Sequence, residues 1–271
     1  SGKDIFGYIK TQNKLSGPFG EEKIAGSYLQ RFGIFSFFII PLILTSKKKS
    51  YFIFLSLFLF ALIFTSIVIS GNRMPLLLFL LMFLMLFFIE KKLRGLIFIF
   101  FIIGCLFFLF IFYSDDAIRN YTFHFMNRSE EILTFLKEVI LFNETPQETN
   151  TYIKEFNNGY AAWLENPIIG GGIDSFYLNC EKTREYCTNH PHNYYLEIMS
   201  ELGIVGLILI IILFINLITI FFNINNYVSM TFQKNLITPF VLLMLVEIFP
   251  LKTTGSFFTT ANSTFIFLIM A

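Results

Sequence analysis

The chain has 271 residues, of which 55% are hydrophobic, 38 are Phe and only 14% are charged, and 20 Lys and Arg nearly cancel 19 Asp and Glu. A soluble domain carries about 25% charged residues, so the apolar excess has to face lipid. Disorder is excluded by the high hydrophobicity, and nucleic-acid binding by a formal net charge of only +1.

In chain order, apolar runs suited to membrane helices fall at 33–46, 50–70, 74–89, 95–113, 195–222, 236–250 and 256–271. A span takes about 20 residues. The runs are apolar all round, which suits lipid better than a one-sided soluble core. The predicted fold is therefore an all-α polytopic bundle: a periplasmic loop over 1–32, four spans over 33–113, a large helical periplasmic loop over 114–194 and three spans over 195–271. Pro75 suits the first turn of its helix, where a missing N–H costs nothing. Ser1 is not Met and Ala271 stops inside an apolar run, so the chain is expected to be truncated at both ends.

Short-loop charge sets the orientation. Lys47, Lys48 and Lys49, then Lys91, Lys92 and Arg94, then Lys234 all fall on one side if seven spans alternate. That side is cytoplasmic by the positive-inside rule. The opposite side receives 1–32, the Gly71–Met74 turn and 114–194.

Within the large loop, Ser129–Phe142 reads as a short amphipathic helix, with Ile132, Phe135, Leu136, Val139 and Ile140 on one stripe. A second helix is predicted over Tyr152–Glu165, ending before Pro167. Gly170, Gly171 and Gly172 follow as a flexible turn, without the Gly-Lys-Ser/Thr ending of a phosphate loop. Three readings stand for Cys180 and Cys187: a disulfide in an oxidising compartment, a metal site with His190 and His192, or free thiols. Their spacing matches no common zinc knuckle. Cys105, mid-span, reads as a small buried apolar residue.

Only three His occur in the chain, and two of them flank Pro191. The plain reading is a helix cap or loop lining. The chemical one is an imidazole at the membrane interface, neutral near pH 7 and able to take a proton from a hydroxyl. His192-Asn193 precedes Gly203 and Gly206, a pair that would allow close helix packing or mark a flexible start to the span. Arg73 occupies a very short outer turn (SGNRMP), against the positive-inside tendency. Snorkelling explains it plainly; holding an anionic headgroup or phosphate explains it chemically. Arg31, Arg119 and Arg128 lie on the same side, with Asp115 and Asp116 as available partners for the latter two, and Glu247 is placed to pair with Lys252.

Four stretches together resemble the bacterial O-antigen ligase and O-antigen polymerase superfamily (Wzy-type): GPFGEEKIAGSYLQRFG, SGNRMPLLLFLL, ENPIIGGGIDSF and CTNHPHNYYLEIMSELGIVGL. The last carries the His-Asn-x9-Gly-x2-Gly spacing. The resemblance implies a metal-independent membrane glycosyltransferase of the bacterial inner membrane, without cofactor, its active site facing the periplasm. Its donor would be an undecaprenyl-diphosphate-linked glycan and its acceptor lipid A-core or another lipid-linked repeat unit. It also implies His192 as the residue that activates the acceptor hydroxyl, and Arg73, with Arg128 or Arg119, as the diphosphate clamp. Arg31, His190 and Asn193 fall among the substrate-binding residues, and Gly170, Gly172, Gly203 and Gly206 with Cys180 and Cys187 among the structural ones. Members often carry an Arg about fourteen residues before the Pro of the Gly-x-Gly segment, where this chain has Tyr152 and Lys154. A transporter or flippase of a lipid-linked glycan is the rival reading. It would call for ionisable groups at the bilayer midplane, and the spans here are almost free of them.

Overall fold

Membrane-compatible sequence folds here into helices alone: among the described residues of the computed structural model there is no strand. The described residues are 15–20, 22–43, 49–114, 151–178, 188–223, 231–253 and 255–270, with isolated positions between 116 and 134. The helices are α1 (Ala25–Ile43), α2 (Lys49–Ser70), α3 (Arg73–Ile89), α4 (Arg94–Ser114), α5 (Thr151–Glu165), α6 (Tyr194–Phe222), α7 (Thr231–Glu247) and α8 (Thr260–Met270). Among the described residues three stretches are long and apolar enough to cross a membrane: Tyr51–Ser70, Lys91–Ser114 and Tyr194–Ile220. Arg73–Ile89, Leu236–Glu247 and Thr260–Met270 are shorter apolar helices.

The chain divides into two compact units, one of residues 1–123 with 228–246 and one of 124–227 with 247–271. In the first, α1–α4 pack around a knot of phenylalanines. Phe60 stacks on Phe100 with centroids 4.5 Å apart and meets Phe83 edge-on at 5.2 Å; Phe37 and Phe79 close on Phe83 at 5.1 and 5.0 Å. Between lipid-embedded helices apolar burial supplies little driving force, so close packing has to hold them. Each aromatic pair adds about 0.5–1.5 kcal/mol beyond its area. Gly104 faces Phe60 and Phe64, and Ser36, Ser66 and Ser70 return their hydroxyls to carbonyls of their own helices. Those bonds satisfy three hydroxyls inside the helices that carry them.

Several bounds differ from expectation. Helix α1 begins at Ala25 rather than 33, because no breaker interrupts its first turns, and Gly26 sits directly against Ser70 and Asn72. The last run is helical only from Thr260; residues 256–259 form a turn instead, engaged by a glutamate described below. Cys105 is exposed rather than buried: α4 turns Ile97, Phe100 and Gly104 inward, and position 105 falls on the other face. The helix expected over Tyr152–Glu165 is present as α5, while the one expected over Ser129–Phe142 lies almost wholly outside the described residues.

Candidate functional site

The second unit gathers the polar chemistry at the start of α6. Asn193 is the residue before that helix, and its Oδ1 accepts from the N–H groups of Tyr195 (3.0 Å) and Leu196 (3.2 Å). This satisfies two of the donors a helix start leaves open. Its Nδ2 donates to the Pro250 carbonyl at 2.7 Å. Asn193, expected with the substrate-binding residues, thus has both polar atoms committed to the protein.

Further bonds tie the first turns of α6 to the chain after α7. Tyr195 donates its hydroxyl proton to the Ile248 carbonyl. The Glu197 carboxylate accepts from the Ser256 hydroxyl and from the Phe257 N–H, the latter at 2.6 Å. Lys252 pairs with Glu247, as their spacing suggested, donates to the Tyr194 hydroxyl at 3.2 Å and lies over the Tyr194 ring at 4.6 Å. Both members of that pair are almost fully buried.

Helix α5 closes a second side. Its inward face carries Ile153, Glu155, Gly159 and Ala162, and Ala162 packs with Phe176. Gly159 is essential to the fit, since a Cβ there would lie 2.8 Å from the Pro191 Cβ and 3.2 Å from that of Leu196. With the helix this close, Glu155 reaches the His-Pro-His corner. Its Oε1 lies 3.7 Å from His192 Nε2, and its side chain is only 6% exposed.

The third side is the glycine segment. Helix α6 is broken at Gly203, whose φ of 66° lies in the left-handed region. The break is bridged by the 167–172 segment through main-chain bonds alone. Gly171 and Gly172 N–H donate to the Ser200 and Glu201 carbonyls (2.9 and 2.8 Å), and Ile204 and Val205 N–H donate to the Pro167 and Ile168 carbonyls (2.9 and 3.2 Å). The carbonyls stranded by the first half and the donors stranded by the second therefore share one partner segment. A Cβ on Gly170, which also has positive φ, would overlap the Glu201 backbone, and one on Gly206 would overlap the Leu202 side chain. The glycine pair on α6 serves a break and its splice, rather than packing against another span.

At the centre of these supports stand the two histidines. Their rings lie 4.3 Å apart, and His192 itself has φ 52°, an uncommon conformation for a residue with a side chain. Burial, together with the charge of His192, lowers the His190 pKa to about 4, and burial lowers that of His192 below its usual value. Both are neutral at pH 7. His190 Nε2 is buried without a hydrogen-bond partner. A neutral, partly accessible imidazole with a carboxylate behind it can accept a proton.

The arginines are distributed differently. Arg73 is the first residue of α3, just after a turn in which Gly71 has φ 73°. Arg31 is half-buried on α1. Arg119 is paired with Asp116, as the flanking acids suggested. Arg128, Cys180 and Cys187 lie outside the described residues. Among the described residues no group of three or more His, Cys, Asp and Glu is arranged to hold a metal ion. Sequence reasoning missed Glu155 and Gly159; their i, i+4 spacing on the inward face of α5 was the available signal, a carboxylate and a glycine where apolar residues belong.

Set beside known proteins, the chain matches a family model described as O-antigen ligase (Wzy_C) over residues 58–211, more than half its length. That match runs from α2 through the Arg73 turn, α5, the glycine segment and the histidine corner to the break in α6. No curated protein and no solved structure gives a significant match.

Proposed function

The chain belongs to the O-antigen ligase family, and on that premise we propose that it transfers a glycan from undecaprenyl diphosphate to an acceptor hydroxyl at the periplasmic face of the inner membrane. The observation that carries this reading is the histidine corner. His192 is neutral at pH 7, backed by Glu155 and anchored through the Asn193 cap. In the transfer the acceptor O–H gives its proton to His192 as its oxygen bonds to the anomeric carbon of the donor. The bond from that carbon to the phosphate oxygen breaks, and the electron pair leaves with the lipid diphosphate. A leaving group this stable needs only modest base catalysis but benefits from fixed positive charge. Arg73 supplies that charge in this reading, since its planar fork matches phosphate oxygens and it stands at a helix N-terminus, where anions are favoured. Arg119, exposed and paired with Asp116, is the weaker candidate for the second arginine.

The test is complementation of a strain lacking the full-length protein. His192→Ala and Arg73→Ala should each abolish the surface glycan while membrane insertion is unchanged, and Arg119→Ala should leave most of it. Wild-type glycan ladders from both His192→Ala and Arg73→Ala would refute the proposal. The same strain identifies the acceptor: a missing polymerase leaves single repeats on the lipid core, and a missing ligase leaves long glycan on the carrier.

A further inference from the structure

The end of α5 and the glycine segment expose apolar side chains in a row rather than singly. Tyr160, Leu164, Ile168, Ile169, Ile173 and Tyr177 are all exposed, and from Phe156 to Leu178 the only charged residues are Glu165 and Asp174. An apolar surface of this extent marks a contact with lipid or with protein. Its surroundings favour lipid. The Pro167 and Ile168 carbonyls accept from Ile204 and Val205 N–H, so the segment lies directly against α6, whose own Ile204, Val205, Ile208 and Leu209 are exposed. That helix is uncharged from Leu202 to Phe222, about 30 Å at 1.5 Å per residue, which is the thickness of a hydrocarbon core. Gly203, where the segment joins, therefore falls at the boundary of that core. Irregular main chain so close to lipid needs partners within the protein. Pro167 has no N–H, Gly170, Gly171 and Gly172 donate to the carbonyls of Asn166, Ser200 and Glu201, and the Pro167 carbonyl also accepts from the Trp163 indole N–H at 3.0 Å. The Tyr160 and Trp163 rings lie 5.5 Å apart, and such rings gather at the headgroup boundary. A protein-binding patch draws on Arg among its anchors, whereas no Lys or Arg occurs between Lys154 and Lys182.

We propose that residues 160–177 form an interfacial anchor that seats in the bilayer leaflet at the start of α6, with Ile168, Ile169 and Ile173 against acyl chains and Tyr160 and Trp163 at headgroup level. Glu165 and Asp174, both exposed, keep the insertion shallow. The anchor sets the depth of the Gly203 joint, and through α6 the depth of the polar corner that Asn193 caps. It holds whichever residue serves as the base.

The experiment uses the full-length protein in vesicles of phosphatidylethanolamine and phosphatidylglycerol, with part of the lipid brominated either near the ester carbonyls or near the methyl ends of the acyl chains. Trp163 is the one Trp of these 271 residues, and its emission is isolated by subtracting that of Trp163→Phe. Shallow bromines should remove roughly half of it, since interfacial Trp sits at their depth. Deep bromines and aqueous iodide should each remove less. Trp163→Phe/Ile169→Trp moves the reporter into the patch at an exposed position and should be quenched by shallow bromines as well. Ile169→Asp, which puts a charge where acyl chains belong, should weaken bromine quenching of Trp163 and strengthen that by iodide. Quenching at 163 and 169 by iodide in place of bromine would put the patch in water and overturn the proposal. Protection from both quenchers would show a protein cover, a second copy or another partner, and overturn it too. So would an unchanged quenching pattern in an Ile169→Asp protein that keeps its helical circular dichroism.

Discussion

Gly203 and Ile168 meet backbone to backbone: a Cβ on Gly203 would overlap the Ile168 carbonyl, the same carbonyl that accepts from Val205 N–H at 3.2 Å. The glycine segment and the glycine pair of α6, far apart in sequence, are thereby two sides of one joint. Loss of either side strands the main-chain groups of the other.

Gly203→Ala therefore meets two penalties, a left-handed backbone angle and a steric overlap with main chain that cannot rotate away. The expected loss is at least about 2 kcal/mol, and Gly170→Ala should behave alike. Gly172 also has positive φ, but its added Cβ would meet open space, so Gly172→Ala should cost less. Thermal unfolding of the purified proteins in detergent checks the order; equal melting temperatures for all three variants would contradict it.

The two histidines should make stability depend on pH. Their folded pKa values lie below the unfolded value of about 6.5, so the unfolded chain binds more protons between the two. The contribution of the histidines to stability is then complete above about pH 6.5 and falls as pH drops toward the folded values, near 4 for His190. His190→Gln should remove most of that slope. Melting temperatures recorded from pH 7.5 to 4.5 would show this, and a slope of the same size in the variant would be the contrary result.

Lys252 and Glu247 should cost more to separate than to remove together. Both are almost fully buried, so Lys252→Met removes the counter-charge of a buried carboxylate, and Glu247→Leu that of a buried ammonium. Breaking such a pair typically costs about 3–5 kcal/mol, whereas replacing both members by apolar residues is often neutral. The double variant should melt above either single one. Additive losses would show that the pair is not the controlling interaction.

What could be read in advance depended on local pattern. The apolar runs marked helices, three of them among the described residues long and apolar enough to cross a membrane, because hydropathy is summed over neighbours, and Pro167 marked the end of α5 because the residue before a proline avoids helix. The His-Pro-His-Asn corner was visible as a rare cluster. The cap made by Asn193 is legible too, since Asn immediately before a helix is a favoured capping residue. For Glu155 the sequence offers only the i, i+4 spacing with Gly159, because its meaning comes from a residue far along the chain and from the missing side chain of that glycine. For Gly203 both close packing and a flexible start to the span stay open in the sequence, since sequence does not distinguish a glycine chosen for small size from one chosen for its backbone angle.

The splice at the break in α6 is made of main-chain atoms, so it places almost no demand on the identity of the side chains along it. Ile168 and Ile169 are 65% and 73% exposed, and Ile204 and Val205 also point outward while their amides are bound. A saturation library across 167–172 and 200–206 should therefore return a sharply uneven map. The glycines that touch backbone would reject nearly every replacement. Ile168 and Ile169 would accept most apolar ones, leaving this stretch free to vary its exposed side chains while the joint stays intact.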